Sequence, residues 1–535
     1  MRLDQILRPL THMVSLVALA MAAAGLWGLL DGWIIHPLEE SGGNLASEPV
    51  GHTMDASIAL LISALVTASF AGLVRIRVGA SPRDEHGERE LDLRNREVLA
   101  LVGLAWFVAC FFAALPFVAW PLLAGLETHV LLNPINCLFE SMSGLTTTGA
   151  TIIPELDTIP RPLLLWRSLT HWIGGIGIVV VFLVILPSVG AARQRLFQVE
   201  TPGPDISERG LRPTAGEAAK KLSALYLGIT AAAVGGYIAG GMGAFDAVNH
   251  AFSVVATGGF STKDESISYF ATPFIEWWTI LMMIMVGLNF TLLGQLLRGR
   301  LGVLKDLETK TYLGLKLTCS VLTTLVLALS VTAWSDTAGV EHTGFFAALR
   351  HGTFVTVAMQ TGTGFCLSDY SNWPYLTIAL IFSLAAIGGC GGSTAGGIKV
   401  NRIVFAVQLL WAEIHRVIRP NRVDTIRLGH RRPSPTQRQA VLAFLLMYMI
   451  LLGIGTIGLQ TAEHGSNHGD FQTCSTAVLC TLTNIGPGLG EVGPTGNYEG
   501  FGSISKAGLV VLMAMGRLEI MGLIALLTPG FWRRS

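Results

Sequence analysis

Apolar residues in this chain come in runs of roughly twenty, the length a helix needs to cross a bilayer. The runs fall near 13–36, 55–79, 98–121, 161–188, 222–243, 272–297, 311–335, 372–410, 439–461 and 505–529. In lipid only helices and closed barrels satisfy their own backbone, and barrel strands would alternate apolar with polar positions. The pattern therefore predicts ten candidate spans and an all-α polytopic membrane protein. The first run follows Arg2 and Arg8 and contains small residues, as a signal peptide would. It continues through Trp33 toward Pro37, which suits an uncleaved span better.

Between the runs, basic residues alternate sides. The 75–97, 190–221, 298–310 and 416–438 connections hold six, six, four and seven Lys or Arg, while 37–54 and 463–504 hold none. Short connections rich in Lys and Arg stay cytoplasmic. Both termini are expected there too, with Arg533 and Arg534 at the end of the chain.

Four outward connections share a second pattern: "NPINCLFESMSGLTTTGAT", "FDAVNHAFSVVATGGFST", "FFAALRHGTFVTVAMQTGTGF" and "FQTCSTAVLCTLTNIGPG". Each is a short amphipathic stretch followed by a Thr/Gly strip. The stretches are too short to cross the bilayer and fit re-entrant half helices. The strips align on Gly149, Gly259, Gly364 and Gly486, separated by 110 (259 − 149), 105 (364 − 259) and 122 (486 − 364) residues. A unit of span, half helix, strip and span that recurs at this period is an internal repeat. Every strip faces the same side, so the repeats are parallel. The expected division is two N-terminal spans with a basic loop (1–97) and four pore repeats at 98–190, 191–298, 299–420 and 421–535.

One such strip alone reads best as a helix break or packing loop. Four at matching positions read as a pore, because non-helical backbone at membrane depth must line a water-filled cavity or be buried in protein. Glycine permits torsions that aim carbonyl oxygens at a common axis, and a ring of carbonyls can replace the hydration shell of a monovalent cation. The half helices would point their C-terminal ends inward, which favours a cation. In the fourth strip Asn484 replaces a small residue and Pro487 removes a backbone donor, so the ring is only approximately fourfold.

Composition narrows the alternatives. Of 535 residues, 51% are hydrophobic and 13% charged, and the formal net charge is zero. Nucleic acid is therefore not an implied partner. The seven cysteines show no metal-type spacing and read as small apolar residues. No nucleophile, acid/base or HExxH-like constellation points to a membrane enzyme. A coupled sodium or proton symporter would show inverted repeats and ionisable residues at the midplane; the repeats here are parallel, and Arg517 is the clear charged candidate.

Two segments depart from a simple span. "AAIGGCGGSTAGGIKV" (385–400) places eight small residues inside the eighth run. Glycine in a helix interior costs about 1 kcal/mol each, so an unwound loop at membrane depth is expected. Close helix packing through small residues is the alternative; a phosphate loop lacks its preceding strand. Arg517 interrupts "VVLMAMGRLEIMGLIALL" near the middle of the last run. A charge there should face the bundle and be paired, either functionally or simply to carbonyls. Glu519 points to a different face and is not its simplest partner. Lys399, at the loop's cytoplasmic end, reads as a snorkelling lysine, with a gating contact as the alternative. Glu140, His250 and Arg350 lie in the half helices and read as supports of neighbouring loops.

Taken together, TTTGAT, ATGGFS, TGTGF and TNIGPG resemble the four filter motifs of the TrkH/KtrB/HKT superfamily of potassium transporters, over about 95–530. The two extra N-terminal spans are similar to those of the TrkH branch. The resemblance implies potassium as transported ion, held at Thr147, Thr148, Gly149, Thr257, Gly258, Gly259, Thr363, Gly364, Asn484, Ile485 and Gly486, with no organic cofactor in this chain. Glycine at all four filter positions is what potassium-selective members have; serine at the first goes with sodium. The resemblance also implies an obstructing intramembrane loop, here Gly391, Gly392, Ser393, Thr394, Ala395 and Gly396, with Arg517 taking part in gating. It implies a homodimer in the bacterial inner membrane, in contact with membrane lipid. A cytosolic ring of TrkA-like subunits that bind NAD or ATP would control it, with 416–438 as a plausible docking surface.

Overall fold

The computed structural model describes residues 3–35, 50–78, 95–180, 215–419, 435–518 and 520–532. Its architecture is the expected all-α one. Helices α1 (Leu3–Leu30) and α2 (Val50–Val78) pair with each other and lean on α3 (Asn95–Leu123).

Four units follow, each a long helix, a short one and a second long or broken one. The first is α3, α4 (Pro134–Leu145) and α5 (Arg161–Val180). The second is α6 (Ala215–Ala239), α7 (Ala244–Val255), α8 (Pro273–Val286) and α9 (Phe290–Leu296). The third is α10 (Leu307–Ser330), α11 (Phe345–Thr361), α12 (Tyr375–Ile387) and α13 (Val400–Ile418). The fourth is α14 (Pro435–Ala462), α15 (Phe471–Thr483), α16 (Ser503–Arg517) and α17 (Met521–Leu527).

The units close into a ring. The second span of each packs on the short helix of the next: α5 on α7, α8 on α11, α12 on α15, and α16 back on α4. Two of the four short helices, α4 and α15, begin at a side-chain cap, and α7 and α11 begin at Gly243 and Gly344. Asn133 caps α4 ahead of Pro134, and the Asp470 carboxylate accepts the Thr473 N–H at 2.9 Å. Large apolar side chains such as Leu19, Leu65, Leu317, Leu329 and Ile454 are exposed on the periphery, where acyl chains would cover them, whereas the centre is rich in buried Thr, Ser and Gly.

Among the described residues, 6 helices are long and apolar enough to span, or up to 7 if one bent pair is counted. The other runs are interrupted. The 272–297 run reads as one span from its apolarity, yet α8 and α9 meet at 114° across Gly287–Asn289. The physical reason is a cap inside the run: Asn289 Oδ1 accepts the N–H groups of Thr291 (2.9 Å) and Leu292 (3.3 Å) and starts a new helix. The last run breaks between α16 and α17, with Ile520 at φ +36. The unwound loop expected inside 372–410 is present, as residues 388–399 between α12 and α13. Part of the 161–188 run, most of 190–221 and 416–438, and Glu519 lie outside the described residues.

Candidate functional site: four helix ends around one centre

All four short helices end in the same turn. The N–H of the second strip residue donates to the carbonyl five residues back: Thr148 to Ser143 (2.9 Å), Gly258 to Ser253 (2.8 Å), Thr363 to Ala358 (3.0 Å) and Ile485 to Cys480 (2.8 Å). The residue before it is left-handed each time, with φ +53 at Thr147, +55 at Thr257, +72 at Gly362 and +56 at Asn484. This is the Schellman closure of a helix. Three of the four positions hold a residue other than glycine, which is a strained choice. The equivalence adds Gly362, already within the aligned strip TGTGF, to the residues expected to hold the ion, which in that strip began at Thr363.

The third residue of each strip is the aligned glycine. Gly149, Gly259 and Gly364 have φ +83, +87 and +69, whereas Gly486 precedes Pro487 and does not share this conformation. The strips touch backbone to backbone in cyclic order. A Cβ on Gly149 would overlap the Gly258 carbonyl oxygen, and one on Gly259 would overlap that of Thr363. A Cβ on Gly364 would sit 2.9 Å from Pro487 Cδ, and one on Gly486 2.6 Å from the Gly149 carbonyl oxygen. The eleven residues expected to hold the ion are thus brought together, with Gly149 and Gly259 half-buried and the others buried.

Polar side chains outside the strips fix the ring. The Glu140 carboxylate pairs with Arg167 Nε at 2.5 Å and accepts from the Thr151 hydroxyl (3.1 Å) and the Ile152 N–H (3.1 Å). Arg167 also donates to the Ser261 carbonyl at 3.0 Å and lies 3.5 Å from the centre of the Phe260 ring. One buried ion pair therefore ties the exits of the first two strips. His250 Nε2 lies 3.0 Å from Ser261 Oγ, and Arg350 pairs with Glu276. Glu140 and His250 support loops, as read, whereas Arg350 holds the first turn of α8. Arg167 and Tyr498, whose hydroxyl donates to the Gly486 carbonyl at 2.9 Å, were not foreseen. Arg167 lies inside the 161–188 apolar run, the same signal that singled out Arg517, whereas Tyr498 carries no local sequence signal.

Asn484 joins two strips to α16. Its Nδ2 donates to Thr148 Oγ1 at 3.1 Å and to the Met513 carbonyl at 2.9 Å.

The loop 388–399 lies directly against the ends of α7, α11 and α15. The Thr394 hydroxyl donates to the Val255 carbonyl at 3.3 Å. A Cβ on Gly396 would overlap the Thr483 carbonyl oxygen, and one on Gly362 would lie 3.3 Å from the Gly396 nitrogen. Gly391, Gly392, Ser393, Thr394, Ala395 and Gly396 thus form one short segment at the base of the ring. Arg517, 4% exposed, donates from Nη1 to the Thr394 carbonyl at 2.7 Å. Its partner is a carbonyl, and that carbonyl belongs to the loop.

Lys399 is not without a loop contact: its ammonium donates to the Ala395 carbonyl. Arg517 is not the sole buried charge of interest either. Glu308 and Lys316 on α10 are also buried, with Lys316 Nζ donating to the Tyr312 hydroxyl at 2.8 Å. Both stand near the polar start of an apolar run, where charges ordinarily mark a boundary.

Residues 119–529 match the family profile TrkH, described as cation transport protein. The chain belongs to the TrkH family of cation transport proteins. It is 35% identical over 485 residues to the Trk system potassium uptake protein TrkH of Halomonas elongata, covering 89% of this chain and 95% of that one. It is 35% identical over 453 residues to the protein of that name in Escherichia coli K12, covering 84% and 88%. The crystal structure of the potassium transporter TrkH from Vibrio parahaemolyticus superposes with a TM-score of 0.81 at 28% identity, over 100% of both chains. Membership in the TrkH family makes this a multi-pass membrane transporter and not an enzyme.

Proposed function

We propose that the chain takes up potassium ions through the ring of four strips. The observation that carries this reading is the cyclic backbone packing, in which three of the four aligned glycines would each drive a Cβ toward a carbonyl or amide of a neighbouring strip and the fourth toward Pro487. Carbonyl oxygens held so closely can replace the water around a bare cation without reorganising. The four short helices direct their C-terminal ends, the negative ends of their dipoles, toward the same centre. Relatives that cover most of the chain are named as potassium uptake proteins.

Below the ring, loop 388–399 obstructs the path and the fixed charge of Arg517 raises the barrier to cations. Movement of the loop carries Thr394 away from the guanidinium and opens the way. Potassium is cargo here, bound at the eleven strip residues and released. The protein works as a homodimer in the bacterial inner membrane with both termini cytoplasmic, and a cytosolic TrkA-like nucleotide-binding subunit acts on the gate. Supporting this orientation, the basic connections all fall on one side of the membrane.

The test is potassium and sodium uptake into proteoliposomes that contain the chain with and without Gly149→Ser. Potassium-selective uptake that loses its preference over sodium in the variant is the expected result. A variant that keeps both rate and preference would place the ion path elsewhere.

A further inference from the structure

The intramembrane loop rests against the break between α8 and α9. A broken helix leaves backbone donors and acceptors unpaired on both sides of its break, and at membrane depth they need partners. The break between α8 and α9 finds them in the loop. The Cys390 N–H donates to the Gly287 carbonyl at 3.0 Å, and the Phe290 N–H donates to the Gly392 carbonyl at 3.1 Å. Between these two bonds lies Gly391, whose backbone groups are both held by side chains. Asn289 Nδ2 donates to the Gly391 carbonyl at 2.7 Å, and Glu308 Oε1 accepts the Gly391 N–H at 2.6 Å. Both side chains are buried, at 2% and 5% exposure.

The amide of Asn289 serves two ends at once. Its Oδ1 caps α9 while its Nδ2 grips the loop, so the residue that breaks the sixth span also faces the third unit. Glu308 stands in the first turn of α10, oriented by the Asp306 cap that accepts its own N–H at 3.1 Å. Gly389 completes the fit: a Cβ there would be 3.1 Å from the Gly287 carbonyl oxygen.

We infer that the break in the sixth span is the docking cradle of the loop, and that Asn289 and Glu308 are positioning residues that hold the loop in its obstructing place through the two backbone groups of Gly391. The inference rests on the loop being the gate. It adds a second holding point: Arg517 grips the loop at Thr394 from one side, and the cradle grips residues 390–392 from the other. Opening then requires the four cradle bonds and the Arg517 bond to be exchanged together, and weakening the cradle shifts the closed–open balance without touching the strips.

Asn289→Asp keeps the cap but adds a buried carboxylate beside Glu308, so the neutral Asn289→Ser, an equally good cap, is measured beside it. Neither aspartate nor serine has a side-chain N–H for the Gly391 carbonyl. Glu308→Ala removes the acceptor for the Gly391 N–H, and Glu308→Gln restores one. In proteoliposomes of the full chain, Asn289→Asp, Asn289→Ser and Glu308→Ala should each raise potassium flux roughly tenfold, the size expected for one buried group left unpaired, with the potassium/sodium ratio unchanged. Glu308→Gln should return the flux toward that of the unmodified chain. A readout independent of transport is the reaction of buried Cys390 with a small thiol reagent, in a chain whose other six cysteines are replaced; it should quicken by roughly the same factor. Unchanged flux together with unchanged Cys390 reactivity would overturn the inference. Arg517→Ala separates it from the gate reading. If that variant raises flux and the cradle variants do not, the gate stands and the cradle falls. If none of them raises flux, both fall.

Discussion

Gly241 and Gly259 have nearly the same backbone, with φ +95 and +87, and very different surroundings. A Cβ on Gly241 would meet nothing within 4 Å, whereas one on Gly259 would overlap the Thr363 carbonyl oxygen. Alanine at either position carries the strain of a left-handed side-chain residue, roughly 1–2 kcal/mol. Gly241→Ala therefore reports strain alone, and Gly259→Ala reports strain plus displacement of a strip carbonyl. Strip three has little room to retreat. Gly364 would meet Pro487 Cδ at 2.9 Å, and Gly486 would meet the Gly149 carbonyl at 2.6 Å, which is 0.4 Å (3.0 − 2.6) inside the limit of real Cβ contacts. The disturbance is passed around the ring. If the displaced carbonyl raises the barrier for the ion by about 1.4 kcal/mol, flux falls tenfold. The assay is potassium uptake into proteoliposomes at matched insertion, with sodium as competitor, next to a thermal melt of each variant. Gly259→Ala should lose more stability than Gly241→Ala, by roughly the 1–3 kcal/mol of overpacking, and only Gly259→Ala should lose flux and preference. Equal flux and equal preference in the two variants would refute the reasoning.

Arg167→Met strands the Glu140 carboxylate in a buried site and should cost about 3–5 kcal/mol of stability; the double change Arg167→Met with Glu140→Gln should recover much of it, as read from melting temperatures. Burial alone would raise the carboxyl of Glu463, which follows the last turn of α14, but donors from Ser505, the Gly502 N–H and Ser466 outweigh it and hold it below the usual range. Its contribution to stability is therefore fully present above the ordinary carboxylate value of about 4.3 and is lost as pH falls through the lower folded one. Ser505→Ala should shrink that acid-dependent loss, measured as the change in melting temperature between neutral and acid pH.

The four units were legible because glycine punctuates each of them at nearly equal spacing and because the apolar runs have the length of a bilayer. The interruptions were only partly legible. Eight small residues announced the loop at 388–399, but the 272–297 run is apolar on both sides of its break, and the lone signal was an Asn in capping position ahead of Phe290. Charges were harder. Arg517 stood out because it lies within an apolar run, whereas Glu308 and Lys316 lie near the edge of one, where lysines and glutamates are ordinary. Tyr498 donates to Gly486 across a loop whose sequence has no period at all, so only the packed structure brings the two together.

The four left-handed positions, Thr147, Thr257, Gly362 and Asn484, are filled by three kinds of residue. In a pore assembled from identical copies, every codon change alters all quadrants at once. Here the quadrants are joined in one polypeptide, so each can drift by itself. A neutral change in one quarter can be kept, and a second quarter can later acquire a role, such as the link from Asn484 to α16, that the others never share. Mutational tolerance should accordingly differ from quadrant to quadrant, and a scan of all substitutions at these four positions would yield four distinct profiles in place of one.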